Sequence, residues 1–426
     1  MVWPAWSETV AVLRLGDAGD NSVTGVAAGT ALPLYVDFFR ITAPSTALRF
    51  YTLPLPQGPV VEDEATGAVT PGCTLAAGRD SSRWNFDTEG FPSNSANGAF
   101  GIIPCYNVPV GATLDGASGK TIALLDRTAT VDTSISGFTS QVVRAEAAAN
   151  DGWRQVASAD GRRFYTSSVA EYDAGFRYIA SPRTLNAEGA FTTVDVLSNS
   201  AGTLDARGIA LWGGRLYAVT GPAEAAFNAI FQVGSGSWPP TTTTASYTKL
   251  SGLPAGGLGK VWTFAFGPDS SSVWVAVERS TGPRGVAQLW RRPASTRPYA
   301  LAHTVTFDWS NPLYVLTARA EFGRTVLYGT SLAGLFRYDT AGVAAGVTSA
   351  VRLRSAAAGT QFRGVFFAGA PLTSPSASAT PSASRSPSVT PSESRSRTRS
   401  RTRSRSRSNS RTRTATRTRT RKARKL

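Results

Sequence analysis

The sequence predicts an all-β repeat protein followed by a low-complexity tail. Three observations carry this reading. Short runs rich in β-branched and aromatic residues recur between turn residues, a self-similar unit returns about every 50 residues, and composition changes abruptly near residue 370. With 42% hydrophobic and 10% aromatic residues the 426-residue chain has enough apolar material for a large core, which excludes wholesale disorder. No run of 18 or more apolar residues occurs, so no transmembrane segment is expected. Two Cys, one His and one Met leave little for zinc, haem or iron–sulfur chemistry, and no cofactor or metal is expected.

The formal charge of +16 lies at one end. Residues 372–426 hold 14 Arg and 2 Lys against the single acid Glu393, while residues 1–371 hold 28 bases against 27 acids. The tail runs first through Ser, Pro, Ala and Thr (Ser374 to Ser394), then through alternating Arg-Ser and Arg-Thr pairs. It offers almost no apolar side chains against chain entropy, and its like charges repel, so a disordered segment over 370–426 is expected after a folded body over 1–369. The arginines placed to bind a polyanion are Arg395, Arg397, Arg399, Arg401, Arg403, Arg405, Arg407, Arg411, Arg413, Arg417, Arg419 and Arg421. Three roles compete: a stalk adhering to acidic polysaccharide, a phosphorylation-switched segment binding nucleic acid, or a passive extension.

Within the body only Ala145 to Asn150 looks locally helical. Strand-like runs start at Val10 (VAVLRL), Leu34 (LYVDFFRI), Thr121 (TIALLD), Val261 (VWTFAF) and Ser272 (SVWVAVE). The clearest copy of the repeat runs from Val261 to Arg292: strand, GPDSS turn, strand, loop, strand. Further copies span Trp153–Ser181, Ala206–Gly234 and Leu313–Asp339. Aligned on their first strands they put Arg154, Arg207, Trp262 and Tyr314 in one column, at intervals of 53, 55 and 52. FRGVFFAG adds Arg363 and NGAFGII adds Asn97. A unit of about 50 residues made of antiparallel strands is the size of a propeller blade, which must stack on neighbours around a channel.

Six first strands predict a six-bladed β-propeller, with seven blades as the alternative if residues 60–96 hold another sheet. The last first strand, at Phe362, has no partners before the tail. Three strands near residues 9–15, 34–41 and 47–53 are left over at the other end. Pairing them closes the ring and removes an open edge.

The turn patterns SADG (Ser158 to Gly161) and GPDS (Gly267 to Ser270) between aromatic-rich strands resemble propellers of the NHL, YVTN and lactonase-like type. The order VAVLRLGD (Val10 to Asp17), YNVPVGAT (Tyr106 to Thr113), VDTS (Val131 to Ser134), then a Ser/Thr/Pro-rich tail, is similar to uncharacterised, secreted propeller-like proteins of environmental genomes, over residues 8–369. That resemblance implies an extracellular or cell-surface location. MVWPAWSE has neither the basic nor the apolar region of a signal peptide, which implies either an upstream start or a nuclear or cytoplasmic chain.

Lactonase-like propellers hold a metal or base with acids and His at the channel mouth. Here His303 sits in an alternating segment that reads as an outer strand, and the aligned column contains no carboxylate. The function expected is therefore non-enzymatic binding by a monomer, with a lactonase-like hydrolase and a nucleic-acid-associated protein as alternatives. Arg154, Arg207, Arg363, Asn97, Trp262 and Tyr314 form a candidate channel-mouth site for an anionic or aromatic ligand. The competing reading pairs each Arg with a carboxylate or carbonyl of the next blade, locking sheet to sheet. Neither Asp17-Asp20-Asn21 nor Glu62-Asp63-Glu64 has the spacing of an EF-hand loop. Asp160 and Asp269 fall in tight turns, where they would cap backbone amides. Cys73 and Cys105, 32 apart, allow either a disulfide in an oxidising compartment or two buried thiols.

Overall fold

The computed structural model describes residues 8–63, 68–78, 86–114, 119–137, 152–169, 175–180, 182–183, 191, 193–197, 205–221, 229–236, 239–243, 246–253, 260–267, 271–294, 296–321 and 324–367. All belong to the first of two units, Met1–Ser374 and Pro375–Leu426. The boundary at 369/370, the tail arginines, the expected helical turn at 145–150, Glu64 and Asp269 lie outside the described residues.

Strands follow the period-2 patterning closely. The chain opens with β1 (Glu8–Leu15), β2 (Ala31–Ala43) and β3 (Thr46–Pro54), then a hairpin of β4 (Val60–Asp63) and β5 (Ala68–Thr70), and the short β6 (Thr74–Ala76). Next come β7 (Ser93–Asn94), β8 (Gly101–Tyr106), β9 (Lys120–Leu125) and β10 (Val131–Gly137). Four separate four-stranded antiparallel sheets succeed one another. They are β11 (Gly152–Ser158), β12 (Phe164–Val169), β13 (Gly175–Ile179) and β14 (Thr193–Leu197); β15 (Ala206–Trp212), β16 (Arg215–Thr220), β17 (Ile230–Val233) and β18 (Tyr247–Lys249); β19 (Lys260–Phe266), β20 (Ser272–Glu278), β21 (Gly285–Arg291) and β22 (Ala300–Asp308); and β23 (Val315–Glu321), β24 (Arg324–Ser331), β25 (Gly334–Asp339) and β26 (Val351–Ser355). The body ends with β27 (Gln361–Phe366).

The two ends of the body share a sheet. β27 pairs antiparallel with β1 (Ala11↔Phe366, Val12↔Val365), β1 with β2, and β2 with β3. A second meander, β7-β8-β9-β10, joins this one through β6, which pairs with β2 at Ala31–Pro33 and with β8 at Thr74↔Tyr106, making one nine-stranded sheet. Among the described residues, 60–96 contribute the β4–β5 hairpin, β6 and β7, and no four-stranded sheet of their own.

Alternation decides how sheets stack. Along β20, Val273, Val275 and Val277 join one hydrophobic layer with Tyr217 and Val219 of β16. Trp274 and Ala276, between them in sequence, join the opposite layer with Leu316, Leu327 and Phe336. A central strand with both faces buried against neighbouring sheets is what a propeller requires. Comparable layers lie between the β11–β14 and β15–β18 sheets, around Phe176 and Phe231, and between β8–β9 and β11–β13, around Ile122 and Trp153.

Innermost strands crowd one another in a cycle: β7 against β11, then β15, β19, β23 and β27, and β27 back to β7. Two glycines permit the closest approaches. A Cβ on Gly208 would stand 2.9 Å from the Trp262 carbonyl of the next strand, and one on Gly364 would stand 2.3 Å from Pro92 Cδ. Both follow an arginine of the aligned column.

Candidate functional site

Five of the six aligned residues lie on or beside innermost strands: Arg154 on β11, Arg207 on β15, Trp262 on β19, Arg363 on β27, and Tyr314 just before β23. All five are buried. Asn97 does not join them. It is exposed in the turn after β7, where its side chain accepts from the Ala99 amide and the Ser95 hydroxyl. The NGAFGII stretch aligned with the first strands runs into β8, the second strand of its meander. Phe91 takes the vacant place: its ring lies 5.5 Å from that of Tyr314 and 6.4 Å from that of Trp262, which are themselves 5.0 Å apart.

The arginines are committed to protein partners. Arg154 and Arg207 both hold Asp205; Arg154 pairs with Oδ1, and Arg207 donates to Oδ2 from Nε (3.1 Å) and Nη2 (2.9 Å). Each also donates from Nη1 to a carbonyl of the next sheet, Arg154 to Ala206 at 3.2 Å and Arg207 to Val261 at 3.1 Å. Arg207 lies 4.2 Å from the Trp262 ring centre. Arg363 donates to the Phe86 and Ala76 carbonyls at 2.9 and 2.7 Å, with Asp87 at 3.4 Å. Arg363 thus ties β27 to β6 and to the turn at Phe86–Thr88, while Arg154 and Arg207 reach from one sheet to the next. Ile209 N donating to Gln155 Oε1 and Leu316 N donating to Thr263 Oγ1 are bonds of the same kind, again one repeat apart.

The column itself contains no carboxylate, but carboxylates surround it. Asp205, Asp87 and Glu278, which accepts from Trp262 Nε1 at 3.2 Å, sit beside it rather than in it. Asp205 is two residues before Arg207, so the two share one side of an extended segment, a signal present in the DAR tripeptide. Burial opposes the Asp205 charge, but the Arg154 and Arg207 guanidiniums and their hydrogen bonds outweigh it and hold the carboxyl at about 2. Burial lowers the Arg207 and Arg363 guanidiniums and raises the Tyr314 hydroxyl.

Cys73 and Cys105 form a disulfide, both residues fully buried. His303 lies on β22, the outermost strand of its sheet, with Nε2 at 2.8 Å from the Val347 carbonyl. Asp160 caps the Arg162 amide, and Asp17 caps those of Gly19 and Asn21. Among the described residues no group of three or more His, Cys, Asp or Glu is placed to hold a metal ion, and no helix is long and apolar enough to cross a membrane.

Two surface cavities stand apart from the column. One, of about 600 Å³, has Phe100 and Leu124 beside Asp126, Asp132 and Asp160. Its acids are held locally: Asp126 accepts from the Thr128 and Thr130 amides, and Asp132 pairs with Arg183. The other, of about 450 Å³, opens between β26 and the β27-β1-β2-β3 strands.

No family model matches the sequence, and no curated protein matches it. Solved structures similar to the chain include one in a nidogen/laminin complex, at 9% identity and TM-score 0.44, covering 84% of this chain and 97% of that one. A gluconolactonase from Xanthomonas campestris aligns at 12% identity and TM-score 0.39, over 72% of this chain and 88% of its own. A protein from Lactobacillus plantarum aligns at 10% and 0.39, over 81% and 82%. The strand order of the molecule itself makes the chain a β-propeller.

Proposed function

We propose that the protein is a non-enzymatic binding module: a six-bladed propeller body carrying a polybasic tail that adheres to acidic polysaccharide at the cell surface. The observation that carries the reading is the commitment of Arg154, Arg207 and Arg363 to Asp205, Asp87 and backbone carbonyls, so that the central side chains are spent on the protein's own structure. The six-blade count takes β27-β1-β2-β3 and β7-β8-β9-β10 as one blade each, beside the four separate sheets. The Cys73–Cys105 bridge supports an oxidising, extracellular location. The body is taken to act as a monomer.

Retention of the full chain on an immobilised acidic polysaccharide, with elution by salt, tests the tail. Changing Arg399, Arg401, Arg403, Arg405 and Arg407 to Gln lowers the salt concentration needed for elution if the tail is the adhesive element; undiminished retention removes that role. Preferential binding to single-stranded RNA at the same salt points instead to the nucleic-acid reading. Turnover on a panel of lactones with added calcium tests the enzyme alternative, and an inert protein is expected. Arg207→Ala separates lock from ligand site: a fall in melting temperature without loss of any ligand is the result expected of a lock.

A further inference from the structure

The 450 Å³ cleft exists only because the chain ends meet. Arg14 of β1, Asp37 of β2 and Arg49 of β3 come from the start of the body, whereas Arg352 and Arg354 belong to β26, some 300 residues later. Buried Phe39, Leu353 and Phe362 form its apolar floor.

Four guanidiniums therefore face one space, and its carboxylates are already taken. Asp37 accepts from Arg14 Nε at 2.7 Å and from the Thr52 hydroxyl at 2.7 Å, leaving Arg49 at 3.6 Å, beyond hydrogen-bond reach. Arg14 is further fixed by the Gly16 carbonyl at 2.6 Å and the Tyr35 ring at 4.3 Å. Arg352 has Asp308 at 3.6 Å, but that carboxylate accepts from the Ser331 hydroxyl at 2.6 Å and the Ser310 amide at 2.9 Å. Arg354 has no side-chain partner among the described residues. Counting both acids, the cleft keeps two positive charges in excess, within a body whose residues 1–371 carry a net charge of +1.

The geometry points to the cleft as a binding site for a small multivalent oxyanion of the phosphate or sulfate class, carried on a compact body that rests on the apolar floor. Guanidinium forks match such oxygens two at a time, and the volume lies within the range of small-ligand sites. Arg354 and Arg352 bind the anion, Arg49 assists from the opposite wall, and the Arg14–Asp37 pair holds the wall in place. The ligand stands outside the propeller centre and does not involve the tail.

Titration calorimetry on the full chain at physiological salt, with inorganic pyrophosphate, glucose 6-phosphate and a sulfated disaccharide as probes, tests the site. The wild type should bind at least one probe, and the probe bound tells an inorganic anion, a sugar phosphate and a sulfated sugar apart. Arg352→Ala with Arg354→Ala should weaken that binding at least tenfold. Arg279→Ala with Arg297→Ala removes the same charge from exposed positions elsewhere and should bind as the wild type does. Since all three chains keep the tail, any binding by its arginines is common to them. No binding to any probe, or equal weakening in the two double variants, overturns the proposal. All four changed residues are exposed, so both variants should melt with the wild type, and melting curves verify this.

Discussion

The molecule holds two arginine clusters that differ in burial and in whether their guanidiniums are hydrogen-bonded to the protein. At the centre, Arg154 and Arg207 close on Asp205 and on the carbonyls of the next sheet, and the group is buried. In the outer cleft, Arg49, Arg352 and Arg354 are exposed and lie near carboxylates that are already satisfied, or near none. Burial explains the contrast: an unpaired charge in the interior costs several kcal/mol, so the central guanidiniums are held by a carboxylate and carbonyls, whereas solvent lets the cleft keep guanidiniums without hydrogen-bond partners. The central arginines hold sheets together, and the cleft arginines remain available.

The sharpest way to break the comparison is to unbalance the centre. Asp205→Ala leaves two guanidiniums buried without their anion and should cost about 3–5 kcal/mol in urea denaturation; a cost under about 1 kcal/mol would mean that Asp205 is not their partner. Next in size, Cys73→Ala with Cys105→Ala opens the covalent link between the segment before β6 and strand β8. The chain-entropy account assigns that loop about 3–4 kcal/mol, read from the same denaturation curves.

Acid provides a gentler probe. Asp205 has a folded pKa of about 2 against an ordinary 3.8, so its contribution is fully present above about pH 4 and is lost as pH falls towards 2. The loss should be about 2 kcal/mol, and Asp205→Asn should remove that part of the pH dependence. The smallest effect belongs to the cleft: Arg354→Ala should change stability by less than about 0.5 kcal/mol, as a surface residue without partners would.

Much of this architecture was legible. The unbroken apolar run in SVWVAVE fits a strand buried on both faces, and the leftover N-terminal runs complete the sheet of an unpartnered last strand. Asn97 misled because β7 has two residues, too few to show a period, while the stronger pattern of β8 drew the alignment six residues past Phe91. Asp205 escaped because a column aligned on one position per repeat ignores its neighbour two residues away. The cleft could not be read at all, since Arg14 and Arg354 become neighbours only when the chain ends pair.

That pairing supports both clusters, so it is the claim to test directly. Val12 and Val365 stand opposite each other in the β1–β27 ladder, and Val12→Cys with Val365→Cys should give an intramolecular disulfide on mild oxidation, identified by peptide mass mapping. A chain that forms only intermolecular links, or none while the Cys73–Cys105 bridge is intact, would contradict the closure.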